Sequence, residues 1–171
     1  MRPAAPSPFL GRYDRILALV DRASSLLVIA AMAVLTAVVI VQVFFRYVLN
    51  RSLDWGWDVP RLCFIAAVLL AIPLALSRNL HVGVDLVIDL LGAGPRRLVR
   101  RVNASLMAAL MLVIAYYAVV LAFATWDQRL PGLDLSVGLF YVALLVCAIH
   151  SLLHLLRMIG TGAPPPRRES G

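Results

Sequence analysis

"ASSLLVIAAMAVLTAVVIVQVFF", from Ala23 to Phe45, contains no Asp, Glu, Lys or Arg in 23 residues. A bilayer's hydrocarbon core is about 30 Å thick, and a helix needs roughly 20 apolar residues to cross it. This run reads as a membrane span. Working outward, the same four residue types are missing from Leu62–Ser77, Val102–Trp126 and Leu135–Leu156. The second block reaches spanning length once its flank is placed in the interface, giving a span over residues 59–77. The expected architecture is therefore all-α and polytopic, with four transmembrane helices at about 23–45, 59–77, 102–126 and 135–156. Together they make one membrane domain, residues 23–157. Composition agrees: 62% of the chain is hydrophobic, against about 45–50% in a soluble domain.

The net charge is +7, and all sixteen basic residues are arginine. In a soluble chain this balance would raise nucleic acid as a partner. Here the arginines collar the spans, so a lipid bilayer is expected and nucleic acid is not. With both termini on one side, that side carries twelve arginines and the other carries Arg46, Arg51, Arg61 and Arg129. Short loops rich in arginine stay in the cytoplasm. The chain is thus expected in the cell inner membrane as a multi-pass protein, with N- and C-termini cytoplasmic.

Residues 1–22 read as a cytoplasmic N-terminal segment before an uncleaved first span, and residues 158–171 as a disordered, Pro-rich cytoplasmic tail. The longest connection contains "HVGVDLVIDLL", His81 to Leu91. His81, Asp85 and Asp89 fall on one helical face and apolar residues cover the rest, which predicts a short amphipathic helix over about 80–91 lying in the interface. Gly92 and Gly94 can end it, and Pro95 can open the next helix. Ala67, Ala71 and Ala75 in the second span, and Ala104 and Ala108 in the third, are candidate stripes for close helix approach. Pro73 should kink the second span.

Little in the chain points to catalysis. Cys63 and Cys147 lie singly in apolar blocks and read as buried apolar residues. His150 and His154, at i and i+4 in the fourth span, have metal-ligand spacing, but the only other histidine, His81, lies outside the spans. They are read as a pair bonded to neighbours, snorkelling or meeting a partner, with no metal or cofactor. His81, Asp85 and Asp89 are read as a polar stripe. The deepest polar residues are Thr36, Gln42, Ser105 and Thr125, and no Asp, Glu, Lys or Arg sits mid-span. An intramembrane charge is the usual mark of an ion path, so neither an enzyme nor a self-sufficient transport route is expected.

"RYVLNRSLDWGWDVPRL" (Arg46–Leu62), followed by "RNLHVGVDL" (Arg78–Leu86), resembles the small membrane subunit of TRAP (tripartite ATP-independent periplasmic) transporters, the DctQ-like family. The matching positions are Arg46, Tyr47, Asn50, Trp55, Asp58 and Arg61 around the outer turn, then Arg78, His81 and Asp85 on the expected interfacial helix. Trp57 departs from the pattern, standing where relatives often carry a second acid. The resemblance implies a scaffold that binds a large TRAP membrane subunit, which carries the substrate and ion sites, while a periplasmic substrate-binding protein delivers an organic acid. Uptake would be driven by an ion gradient.

Within that frame the outer turn is expected to be a structural joint or partner interface. Trp55 and Trp57 would anchor it in the interface. Asp58 and Arg61, three residues apart, would share a helix face, and Asp58 would cap the second helix. A different reading of the same four spans is a haem- or quinone-binding anchor of a redox enzyme, for which His150 and His154 would be the candidates. A third is a four-helix drug exporter, but the early-span carboxylate expected of one is missing.

Overall fold

The computed structural model describes residues 8–51, 53–77 and 93–161. Helix α1 runs Pro8–Val48, a 3-10 turn covers Asp54–Gly56, and α2 runs Asp58–Ser77. Helix α3 runs Ala93–Ala124, strands β1 (Arg129–Leu130) and β2 (Leu133–Ser136) form a hairpin, and α4 runs Gly138–Thr161. At 1.5 Å per residue the four helices are about 61, 30, 48 and 36 Å long, and each is apolar enough to cross a bilayer. The interfacial helix expected over 80–91, with Arg78, His81 and Asp85, lies outside the described residues.

Several helix boundaries differ from the span limits read from sequence, among them the start of α3 at Ala93 where 102 was expected. Helix α1 begins at Pro8, well ahead of residue 23; proline suits a first turn because its missing N–H would be unpaired there anyway. The fourth span begins at Gly138 and not at 135, because Leu135 and Ser136 belong to β2. Its C-terminal end passes residue 157 to Thr161, since Met158 and Ile159 are apolar and pack on the core. Proline causes no break at the starts of α2 and α3: Pro60 and Pro95 both sit in a first turn, where the lost donor has no intrahelical acceptor.

Helix α4 is central, packing along α3 and along α2. Helix α1 packs along α2 and meets α4 through a few side chains near its N-terminal half. The order across the bundle is therefore α1–α2–α4–α3, with the N-terminal end of α1 and the C-terminal end of α4 at one end and the hairpin at the other. Small residues are buried along α3, at Ala104, Ala108, Ala118 and Ala122, and Ala104 and Ala108 cluster with Leu155 of α4; Cys147, Ala148 and Ser151 are buried on α4. Lipid offers no hydrophobic drive for helix association, so close van der Waals approach supplies it. In α2 the alanine stripe is not formed. Ala67 is buried, but Ala71 is exposed, and Leu70 and Pro73 take the inward positions.

Two hydroxyls in or beside the spans bond back to a carbonyl one turn earlier. The Thr36 hydroxyl donates to the Met32 carbonyl at 2.8 Å and that of Thr125 to Leu121 at 2.7 Å. This matters because lipid offers no competing partner.

Candidate functional site

Polar chemistry gathers at two joints, one at each end of the bundle. At the hairpin end α1 stops at Val48, and Asn50 just beyond it, with φ of 49°, is the one non-glycine residue with positive φ among the described residues. Asparagine tolerates this left-handed conformation better than other side chains. The chain reverses there, and the Arg51 N–H returns to the Phe45 carbonyl at 3.1 Å. The 3-10 turn then settles on α1 through buried Gly56, where an added Cβ would lie 3.0 Å from the Gln42 side chain.

Asp58 opens α2 and is only 8% exposed. Its Oδ2 accepts a 2.7 Å hydrogen bond from the Gly132 N–H in the tip of the hairpin. The carboxylate is thus directed across the bundle, where the sequence reading had it capping its own helix. The Arg61 guanidinium lies over the Phe140 ring, 5.3 Å from its centre. Asp58 and Arg61 do act on one side of α2, but each is matched to the hairpin–α4 region and neither to the other. The joint therefore connects α2 to the third connection as well as to α1.

The hairpin is itself fixed to α3 and α4. Ser136 is buried; its Oγ donates to the Trp126 carbonyl at 2.7 Å and accepts from the Gly138 N–H, the first of α4, at 3.0 Å. A Cβ on Gly138 would come within 2.8 Å of Trp126 Cε3 and 3.0 Å of the Ala122 carbonyl, so only glycine fits there.

The remaining predicted residues are outward-facing. Tyr47 is exposed, with the Arg46 guanidinium 5.9 Å from its ring centre. Trp55 and Trp57 are exposed as well, as interface anchors must be. Arg46, Tyr47 and Trp55 are thus not drawn into the Asp58–Gly132 contact.

The second joint, at the end carrying the termini, is one that sequence reasoning missed. Tyr13, Asp14, Leu17, Asp21 and Ser24 recur at helical spacing along one face of α1. Against them stand His150, Leu153, His154 and Arg157 of α4. The Tyr13 hydroxyl donates to the Leu153 carbonyl at 2.6 Å, and Arg157 clasps Asp14 through Nε and Nη2. Leu17 and Ser24 are buried between these contacts.

At the centre of this joint, His150 (2% exposed) and His154 (7% exposed) both point Nε2 at one oxygen, Asp21 Oδ1, each at 2.8 Å. The two Nε2 atoms are 3.3 Å apart, and His150 Nδ1 is 3.3 Å from Ser24 Oγ. With protons on Nε2, both rings donate to the carboxylate and the serine hydroxyl donates to Nδ1. Two buried rings and a carboxylate are also the residue types that hold transition metals. The available signal was Asp14-x6-Asp21-x2-Ser24, a polar stripe spaced to face one neighbour. The sequence reading passed over it as part of the N-terminal segment.

Two comparisons bear on the chain. The family profile described as "Tripartite ATP-independent periplasmic transporters, DctQ component" matches residues 35–163. A Haemophilus influenzae protein named "Putative TRAP transporter small permease protein" is 26% identical over 137 residues, covering 80% of this chain and 83% of that protein. The profile match takes in the whole hairpin-end joint and both buried histidines. Asp14, Asp21 and Ser24 precede it.

Proposed function

The chain belongs to the DctQ component family of tripartite ATP-independent periplasmic transporters, and from that premise we propose that it is a rigid scaffold on which a larger membrane subunit is assembled. The observation that carries this reading is the state of α1. None of its most apolar 18-residue stretch is buried within the chain, although both of its ends are tied down by specific polar contacts. A long helix held at both ends, with its apolar face uncovered, is built to be covered by lipid and by another membrane protein.

In this proposal the hairpin end faces the periplasm, because the termini end carries the arginine-rich segments that the positive-inside rule assigns to the cytoplasm. Arg46, Tyr47, Trp55 and the Asp58–Arg61 corner form the periplasmic joint, and the first three offer exposed side chains to a partner. The large subunit carries the substrate and ion sites, a periplasmic binding protein delivers an organic acid, and an ion gradient drives uptake. Arg78, His81 and Asp85 belong to an interfacial segment at the cytoplasmic surface. Family membership makes the chain a transporter component, which sets the redox-anchor and drug-exporter readings aside.

The test is affinity purification of the tagged chain from membranes of its own host in mild detergent. A stoichiometric polytopic partner much larger than 18.7 kDa should come with it. Recovery of this chain alone, with its partner gene expressed, would overturn the proposal.

A further inference from the structure

We propose that Asp21, His150 and His154 form a binding site for a transition-metal cation of the zinc class, which pins α1 to α4. The inference does not depend on the transporter reading. It starts from convergence: three potential ligand atoms, from two helices, form a triangle with sides of 2.8, 2.8 and 3.3 Å. In a tetrahedral zinc site with bonds of about 2.0–2.1 Å, neighbouring ligand atoms are roughly 3.3–3.4 Å apart. The Nε2–Nε2 edge already has that length. The two edges to Asp21 open to it with a small side-chain rotation.

The surroundings fit as well. His150 and His154 are an i, i+4 pair, so one helix face presents both rings, and both are buried and held by packing. Metal-ligating histidines hand the other ring N–H to an orienting acceptor, and Ser24 Oγ stands 3.3 Å from His150 Nδ1 to take that role. Loading the ion would move the proton from Nε2 to Nδ1 on His150 and reverse the serine bond, with no change of rotamer required. The Asp21 side chain is 28% exposed. That opening gives the ion an entry path and leaves a fourth position for water. Two imidazoles and one carboxylate select zinc and its neighbours over calcium or magnesium, which prefer all-oxygen shells. Asp14 is not available as a further ligand because Arg157 holds it.

The experiment uses the full chain in detergent, purified through a tag without histidine, stripped with chelator, then equilibrated with buffered zinc and desalted. Metal content is read by mass spectrometry and stability by thermal unfolding. One zinc per chain is expected, with a zinc-dependent rise in unfolding temperature. His150→Ala and His154→Ala should each weaken retention at least tenfold, while His81→Ala should not. Asp21→Asn is the discriminating variant: its amide oxygen still accepts from both rings, more weakly than the carboxylate, so the metal-free protein should still fold with a modestly lower unfolding temperature, but the zinc-dependent rise should be lost. If wild type retains no more zinc than the His150→Ala and His154→Ala variants, or if Asp21→Asn keeps the full zinc response, the site is a hydrogen-bonded latch only and the proposal falls.

Discussion

Replacing Asp58 by alanine removes a nearly buried carboxylate whose Oδ2 accepts the Gly132 N–H at 2.7 Å. A hydrogen bond to a charged acceptor contributes about 1.5–3 kcal/mol net, and stranding the half-buried donor costs a similar amount. Taking about 2 kcal/mol, the hairpin should detach from α2 about 30-fold more often, since 1.4 kcal/mol is roughly a factor of ten. Limited proteolysis under conditions where opening and closing are fast reads that population. Cleavage between Arg129 and Leu133 should therefore accelerate about 30-fold in Asp58→Ala.

Asp134→Ala is the internal control. It lies in the same hairpin, but its side chain is 95% exposed and its closest cation is Arg129 at 3.7 Å. A surface pair of that kind is worth about 0–1 kcal/mol, so cleavage should change by no more than a few fold. Arg61→Ala should fall between the two, because the guanidinium–ring contact with Phe140 contributes about 0.5–1 kcal/mol at an accessible site. Equal rates for Asp58→Ala and Asp134→Ala would refute the claim that Asp58 clamps the hairpin.

Three further outcomes follow from the geometry. Asn50→Gly should leave thermal stability within a few tenths of a kcal/mol, whereas Asn50→Val should cost about 1–2 kcal/mol by calorimetry, because φ at this position is 49°. Gly138→Ala should destabilise by about 1–3 kcal/mol, since the new Cβ meets Trp126 and the Ala122 carbonyl and overpacking is costly; chemical denaturation in detergent would measure it. Tyr13→Phe should cost about 1 kcal/mol and speed amide exchange in the first turns of α1, because it deletes the bond to the Leu153 carbonyl.

The four helices were legible because membrane spans announce themselves by length and lack of charge. What was hidden depended on neighbours. Asp14 and Asp21 drew no separate reading within the N-terminal segment, and α4 places Arg157 and two histidines opposite them. The sequence reading left His150 and His154 as a pair bonded to neighbours, snorkelling or meeting a partner, and had no means of finding Asp21, more than 120 residues away in the chain. Asp58 was singled out from the resemblance, and its partner is a backbone N–H in a hairpin too short to give an alternating pattern. Of the alanine stripes, the one on α3 is buried and the one on α2 is not, since spacing by four cannot say which face meets a helix and which meets lipid. Asn50 entered through resemblance, and the backbone explains why that position favours asparagine.

Reconstitution in liposomes tests the central claim most directly. Proteoliposomes holding this chain alone, or its co-purified large partner alone, should show no ion-gradient-driven uptake when the periplasmic binding protein and its organic acid are supplied. Proteoliposomes holding both should show it. Uptake by this chain without the large subunit, or full uptake by the large subunit without this chain, would contradict the account.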